Sequence, residues 1–137
     1  MWWIFALLAA LFAALTAIFA KIGIKGVDTD LATAIRTVVI LILAWGIAFF
    51  RGGTNTMNTL TKQNITFLVL SGIATGLSWI FYFKALQLGK VSQVAPVDKM
   101  SVAFAIIFAV IFLGEPLTWR TAVGALLIIG GSLVLIL

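Results

Sequence analysis

The sequence contains no cysteine and no histidine, and only 9% of its 137 residues are charged. Without cysteine there can be no disulfide and no thiolate metal site. Without histidine the chain lacks the commonest metal ligand and the commonest general base. Its four acidic residues also place no acid pair on one helix face. These absences argue against an enzyme, and we expect no cofactor and no metal.

Hydrophobic residues make up 64% of the chain, well above their share in soluble domains. They form five runs of about 20 residues, the length that crosses a hydrocarbon core of about 30 Å. Spanning segments are helices or closed barrels, because unpaired backbone groups are costly in lipid, and these runs lack the alternation of barrel strands. We therefore predict an all-α membrane protein of one domain, residues 1–137, with transmembrane helices at about 2–22, 31–50, 65–84, 92–113 and 119–137.

The odd number of crossings places the two chain ends on opposite faces of the membrane. So few short helices also make too small a bundle to enclose a transport path alone, which indicates a half-molecule that needs a partner. The net charge of +5 is dispersed near helix ends, where lysine and arginine side chains reach the lipid headgroups. It indicates contact with membrane lipids and argues against nucleic-acid binding.

The basic residues of the loops and helix ends are divided almost evenly between the two membrane faces. One face carries three and the other carries four: Arg51, Lys62 and Arg120 against Lys21, Lys25, Lys84 and Lys90. Counting Arg36 and Lys99, which lie inside helices, makes the second total six. The positive-inside rule requires a clear bias. A count of four basic residues against three permits insertion in both orientations, which we favour. A count of six against three would instead place the second face in the cytoplasm.

A polar stripe runs along the third helix. Its spacings of four, three and four residues place it on one helix face, and its members are Ser71, Thr75, Ser78 and Tyr82. Small polar residues often mediate helix packing in membranes. The alternative is the wall of a polar cavity, which the bulky phenol of Tyr82 favours. Trp79 neighbours the stripe and either packs over a substrate or faces lipid.

Ionisable residues inside the spans are the strongest indication of a site, because each costs about 2.5–3.5 kcal/mol at the bilayer centre. They are Arg36, Lys84, Asp98 and Lys99. Lys84 lies close enough to a helix end to snorkel, but Asp98 is short and is the one acid well inside a span. We expect it to pair with Lys99, Arg36 or Lys84. Pro96 lies in or just past the first turn of the fourth helix, where it either costs little or produces a kink that would open carbonyls beside Asp98.

Two stretches of the sequence resemble a known carrier family. Residues 83–96, FKALQLGKVSQVAP, are similar to the connection between the third and fourth helices of EamA-type carriers of the drug/metabolite transporter superfamily. Residues 112–118, FLGEPLT, are similar to their LGE signature, and VDKMS at 97–101 resembles the short five-helix bacterial and archaeal branch. The resemblance implies one half of a ten-helix inverted-repeat transporter, and hence a homodimer, most economically an antiparallel one. The four-helix small multidrug exporters are more remotely similar, but their first-helix carboxylate is missing here.

The leading hypothesis is a secondary transporter that moves a small metabolite across the cell (inner) membrane by alternating access. The third-helix stripe and Trp79 would line the cavity, and Asp98 would serve as counter-ion or coupling acid. Positive field from Arg36, Lys84 and Lys99 favours an anionic or zwitterionic substrate. The alternatives are a small dual-topology ion channel or pore, and a non-transporting membrane assembly subunit. A channel would need a continuous polar lining, whereas one half of the bundle is almost wholly apolar.

Overall fold

Helices account for all of the regular structure of this chain. The computed structural model describes residues 1–137 and contains no strand. Its elements are α1 Trp2–Gly23, α2 Thr29–Phe50, a 3-10 helix Gly53–Thr59, α3 Lys62–Leu88, α4 Val91–Lys99, α5 Ser101–Leu113 and α6 Trp119–Ile136.

Five segments are long and apolar enough to cross a membrane, which confirms the predicted fold class. Four are single helices, and α4 and α5 together form the other, Val91–Leu113. The helix bounds differ from the predicted ones by at most four residues. α2 begins earlier, at Thr29, and α3 continues past residue 84 to Leu88.

Local hydrogen bonds explain where the helices begin and end. Asp28 precedes α2, and its Oδ1 accepts the N–H groups of Asp30 and Leu31 at 3.1 and 3.0 Å, so the helix begins two residues before the apolar run. Thr118 caps α6, since its Oγ1 accepts the Thr121 N–H at 3.2 Å. α5 ends at Gly114, whose φ of 67° lies in the left-handed region that favours glycine.

The fourth span is interrupted between α4 and α5. Lys90 is the residue that precedes α4, and Pro96 lies inside the helix, past its first turn. Proline has no N–H to donate to the carbonyl one turn back. At Met100 the backbone N–H donates to Val97 O at 3.0 Å, a tighter turn than that of an α-helix. Of the two interpretations of Pro96, the structure therefore supports the distorted helix.

The chain divides into two compact units. Unit 1 comprises Met1–Phe19 and Leu88–Leu137, and unit 2 comprises Ala20–Gln87. In unit 1, α4 and α5 pack on α6, with Ala103 and Ser132 buried.

In unit 2 the buried side chains are those of Ala20, Ile24, Thr29, Thr33, Phe83 and Leu86. Most large apolar side chains of both units are exposed. This is the distribution of a chain whose solvent is lipid, because lipid gives helices no hydrophobic reason to bury apolar groups.

Candidate functional site

The α2 and α3 helices of unit 2 bring an arginine against two aromatic rings. The Arg36 guanidinium lies 4.9 Å from the centroid of the Trp79 ring and 4.4 Å from that of Phe83. Arg36 is seven residues beyond the first residue of α2, or about 10 Å along the axis at the helical rise. The Phe83 ring is fully buried, while Arg36 and Trp79 are partly buried. The group is a cation–π cluster well inside the span.

The position of Arg36 follows from the inward face of α2. Thr29 and Thr33 are buried on this face, and Arg36 follows them with partial burial. The Thr33 hydroxyl donates to Thr29 O, and the Thr37 hydroxyl donates to Thr33 O, both at 2.8 Å. These hydroxyls are satisfied within α2 itself. The guanidinium, in contrast, makes no ion pair or hydrogen bond within the chain.

The face of α3 that packs inward is displaced from the polar stripe by one position along the sequence. Gly76 and Trp79 are partly buried, and Phe83 and Leu86 are fully buried. Ser71, Thr75 and Ser78 are exposed, and the Thr75 hydroxyl donates to Ser71 O at 2.8 Å. Tyr82 is partly buried, with its ring 5.9 Å from that of Phe83. The exposed hydroxyls can line a cavity only with a second surface, so that role stays a prediction.

The acid of the fourth span pairs with its neighbour in the sequence. Asp98 Oδ2 lies 3.3 Å from Lys99 Nζ, and both side chains are partly exposed to the surroundings. The carbonyl of Pro96, two residues before Asp98, accepts the hydroxyl of Ser132 from α6 at 2.9 Å. Ser132 is buried. The interruption of the span, the ion pair and this side-chain hydrogen bond therefore lie within one turn of each other.

The other basic candidates of unit 2 lie nearer to the helix ends. Lys84 is exposed, as snorkelling requires. Lys21 differs, because it is partly buried and its ammonium donates to Leu86 O near the end of α3. Gln87 donates to Val27 O at 3.0 Å. These two contacts border a cavity of about 540 Å³ at this end of the unit, lined mainly by the segment 21–26.

A second, smaller cavity of about 340 Å³ lies in unit 1. It is lined by α5 and by the loop that contains Glu115 and Pro116, together with Thr121 of α6. Glu115 of the LGE run is therefore one of the residues that line this cavity. No group of three or more His, Cys, Asp or Glu is placed to hold a metal ion.

Sequence reasoning missed two residues that matter to these arrangements. Phe83 is the more buried of the two rings over Arg36, and its spacing of four from Trp79 was the available signal. Ser132 lies among the glycines of α6, where small residues usually indicate packing. Nothing in the sequence distinguishes its hydroxyl from a packing serine, since its partner is a backbone carbonyl 36 residues away.

The comparison with known proteins agrees with this architecture. The family model described as the EamA-like transporter family matches residues 1–137. The chain belongs to the EamA-like transporter family. The resemblance drawn from the sequence is thereby confirmed, and the protein is an integral membrane transporter by family.

Two relatives are similar to this EamA-like protein over different lengths. The uncharacterized transporter in the cobO 3′ region of a Sinorhizobium species is 46% identical over 134 residues, which cover 98% of this chain and 95% of that protein. Human solute carrier family 35 member G1 is 39% identical over 66 residues, which cover 48% of this chain and 18% of that protein. No solved structure matches the chain. The bacterial relative has nearly the same length, as expected for a single-repeat carrier.

Proposed function

We propose that this EamA-like protein is a secondary transporter that moves a small metabolite across the cell (inner) membrane by alternating access. The observation that carries the proposal is the interrupted fourth span. Its break at Met100 is near the middle of Val91–Leu113 and adjoins the Asp98–Lys99 pair. Discontinuous helices with polar groups at the midplane are a recurrent feature of transporter binding sites.

The proposed working form is an antiparallel homodimer. One chain supplies five spans, and two chains in opposite orientations would reproduce a ten-helix inverted repeat. The loop charges, four against three, place little constraint on orientation. Each copy would also offer its exposed apolar helix faces to the other copy and to lipid.

The substrate would occupy a cavity completed by the second copy. In this proposal the exposed hydroxyls of α3 form one wall of the cavity, and the cation–π cluster forms another. The basic residues favour an anionic or zwitterionic substrate, and Asp98 would be the coupling group or counter-ion. The residues assigned to the substrate are Ser71, Thr75, Ser78, Trp79, Tyr82, Lys84, Arg36 and Lys99.

Counterflow in proteoliposomes tests this function. Vesicles loaded with one unlabelled amino acid or organic acid are diluted into its labelled form, and uptake is followed over time. A carrier gives a transient, saturable accumulation that depends on the internal solute. Flux that rises linearly with concentration and ignores internal solute would identify a pore, and no flux with any solute would favour an assembly subunit.

Asp98→Asn tests the coupling role in the same vesicles. Loss of the carboxylate should abolish coupled uptake while the dimer still assembles, because the ion pair is partly exposed and its loss leaves no deeply buried charge. Asp30→Asn is the matched control, since Asp30 is an exposed acid in the first turn of α2. Uptake and a pH profile that are unchanged in Asp98→Asn would reduce this pair to a structural contact.

A further inference from the structure

The guanidinium of Arg36 is held in position without being neutralised. It lies over the rings of Trp79 and Phe83 at 4.9 and 4.4 Å, and contacts of this kind engage its face. Its N–H donors point along the edges of the plane and form no ion pair within the chain, while the phenol of Tyr82 is close enough to interact with the group electrostatically. The guanidinium is thus oriented by contacts with its faces and has no counter-ion in the chain.

No acid of unit 2 is available as a counter-ion. Asp28 and Asp30 belong to the start of α2, and Asp28 is occupied in capping the helix. The single ion pair of the structure joins Lys99 to Asp98. An intramembrane charge without a counter-ion is costly and marks a functional site by default, and the negative charge of a bound solute would supply the counter-ion that Arg36 lacks.

The chemistry of the cluster favours a single carboxylate. A guanidinium fork matches the two oxygens of a carboxylate in a bidentate pair. A free phosphate carries up to two negative charges, which calls for a second cation. The other in-span cation of unit 2, Lys84, is exposed, and Lys21 is bound to a carbonyl. The adjoining rings also offer an apolar surface to the body of a small solute.

We propose that Arg36, positioned by Trp79 and Phe83, is the subsite that binds the carboxylate group of a small monoanionic solute. This inference rests on the proposed transporter function and specifies its substrate class.

Tryptophan fluorescence measures this binding directly. Replacing Trp2, Trp3, Trp45 and Trp119 by Phe leaves Trp79 as the one tryptophan, in contact with Arg36. The full chain is placed in phosphatidylcholine nanodiscs and titrated with propionate or benzoate at constant ionic strength. Propionamide and benzamide are the uncharged controls. We expect a saturable change with at least one carboxylate and none with its amide.

Substitutions of Arg36 assign the binding to the guanidinium. Arg36→Gln should weaken carboxylate binding by about tenfold to a hundredfold, the range for a hydrogen bond to a charged group. Arg36→Lys keeps the charge but loses the fork, so it should bind more weakly than Arg36 and more tightly than Gln. It also serves as the test if Arg36→Gln does not fold. Arg120→Gln is the matched control: Arg120 lies 5.8 Å from the Trp119 ring at the start of α6, and its loss should leave binding unchanged.

A lipid phosphate is the competing source of negative charge, and a second lipid distinguishes it. If phosphatidylglycerol discs alone shift Trp79 emission in an Arg36-dependent manner and carboxylates then have no effect, the subsite belongs to lipid and the proposal is overturned. Equal binding of the amides, no binding of either carboxylate, or full affinity in both Arg36 variants would also overturn it. Counterflow in proteoliposomes distinguishes failure of this proposal from failure of the transporter function. Carboxylate binding without counterflow would contradict the transporter function, whereas counterflow that Arg36→Gln leaves unchanged would contradict the role of Arg36 in substrate binding.

Discussion

At the scale of single residues, the bond between Ser132 and Pro96 shows how the chain tolerates an irregular backbone in lipid. A carbonyl left without a donor in hydrocarbon is costly. The distortion near Pro96 changes the donor pattern of α4, and the buried Ser132 hydroxyl supplies a hydrogen bond at 2.9 Å. One serine thereby allows the break next to Asp98 to persist.

Replacement of this serine should therefore destabilise unit 1. Ser132→Ala leaves the Pro96 carbonyl without its side-chain donor, and we expect a loss of about 1–3 kcal/mol, visible as a lower thermal midpoint in detergent. Ser101→Ala is the control, because Ser101 is exposed at the start of α5. Equal midpoints for the two variants would show that the bond adds nothing to stability.

Arg36 and Trp79 were candidate site residues on sequence grounds, but the sequence did not predict that they meet. The reason is physical. In a soluble helix the polar face points outward, so a polar stripe such as Ser71 to Ser78 orients the helix. In a membrane either face of α3 can contact lipid. The composition of the helix therefore does not show that the face of Trp79 and Phe83 is the one that packs inward. Ion pairing of Asp98 with Lys99 was predictable because adjacent residues are close in any conformation.

At the scale of elements, the fourth span is the one that departs from a regular helix. Hydropathy predicted its length, since Val91–Leu113 is long and apolar enough to cross a membrane. Hydropathy carries no information about where a helix is interrupted. Pro96 was the one signal, and it precedes the break at Met100 by a full turn.

Removing the proline should make this span more regular and less mobile. Pro96→Ala restores an N–H donor and should raise helix stability by up to about 3 kcal/mol. If the interruption is part of the transport cycle, counterflow should slow by about tenfold, which corresponds to about 1.4 kcal/mol of barrier. Pro116→Ala, in the loop between α5 and α6, is the control. Unimpaired counterflow in a stabilised Pro96→Ala variant would separate the break from transport.

At the scale of the whole molecule, orientation depends on very few charges. The loops and ends of the two membrane faces differ by one basic residue, so a single substitution alters the balance that the positive-inside rule uses. The proposed antiparallel dimer requires both orientations in one membrane.

Two opposite substitutions test this balance. Two reporters are fused in turn to the C-terminus: a protein that fluoresces only in the cytoplasm and an enzyme that is active only outside it. If the chain inserts in both orientations, both reporters should give signal. Arg51→Gln removes a charge from the N-terminal face and should shift the C-terminus toward the cytoplasm. Lys25→Gln removes one from the other face and should shift it outward. Both residues are exposed. One-sided signal in all three chains would rule out an antiparallel homodimer of this protein.

The contact between Arg36 and the rings of α3 also bears on how the protein is made. While it is being synthesised, α2 carries threonine hydroxyls already bonded to its own backbone, so they need no neighbour. Arg36 meets its aromatic partners only after residues 79–83 have been translated, and until then its charge opposes release into lipid. We therefore expect α2 and α3 to enter the bilayer together as a hairpin.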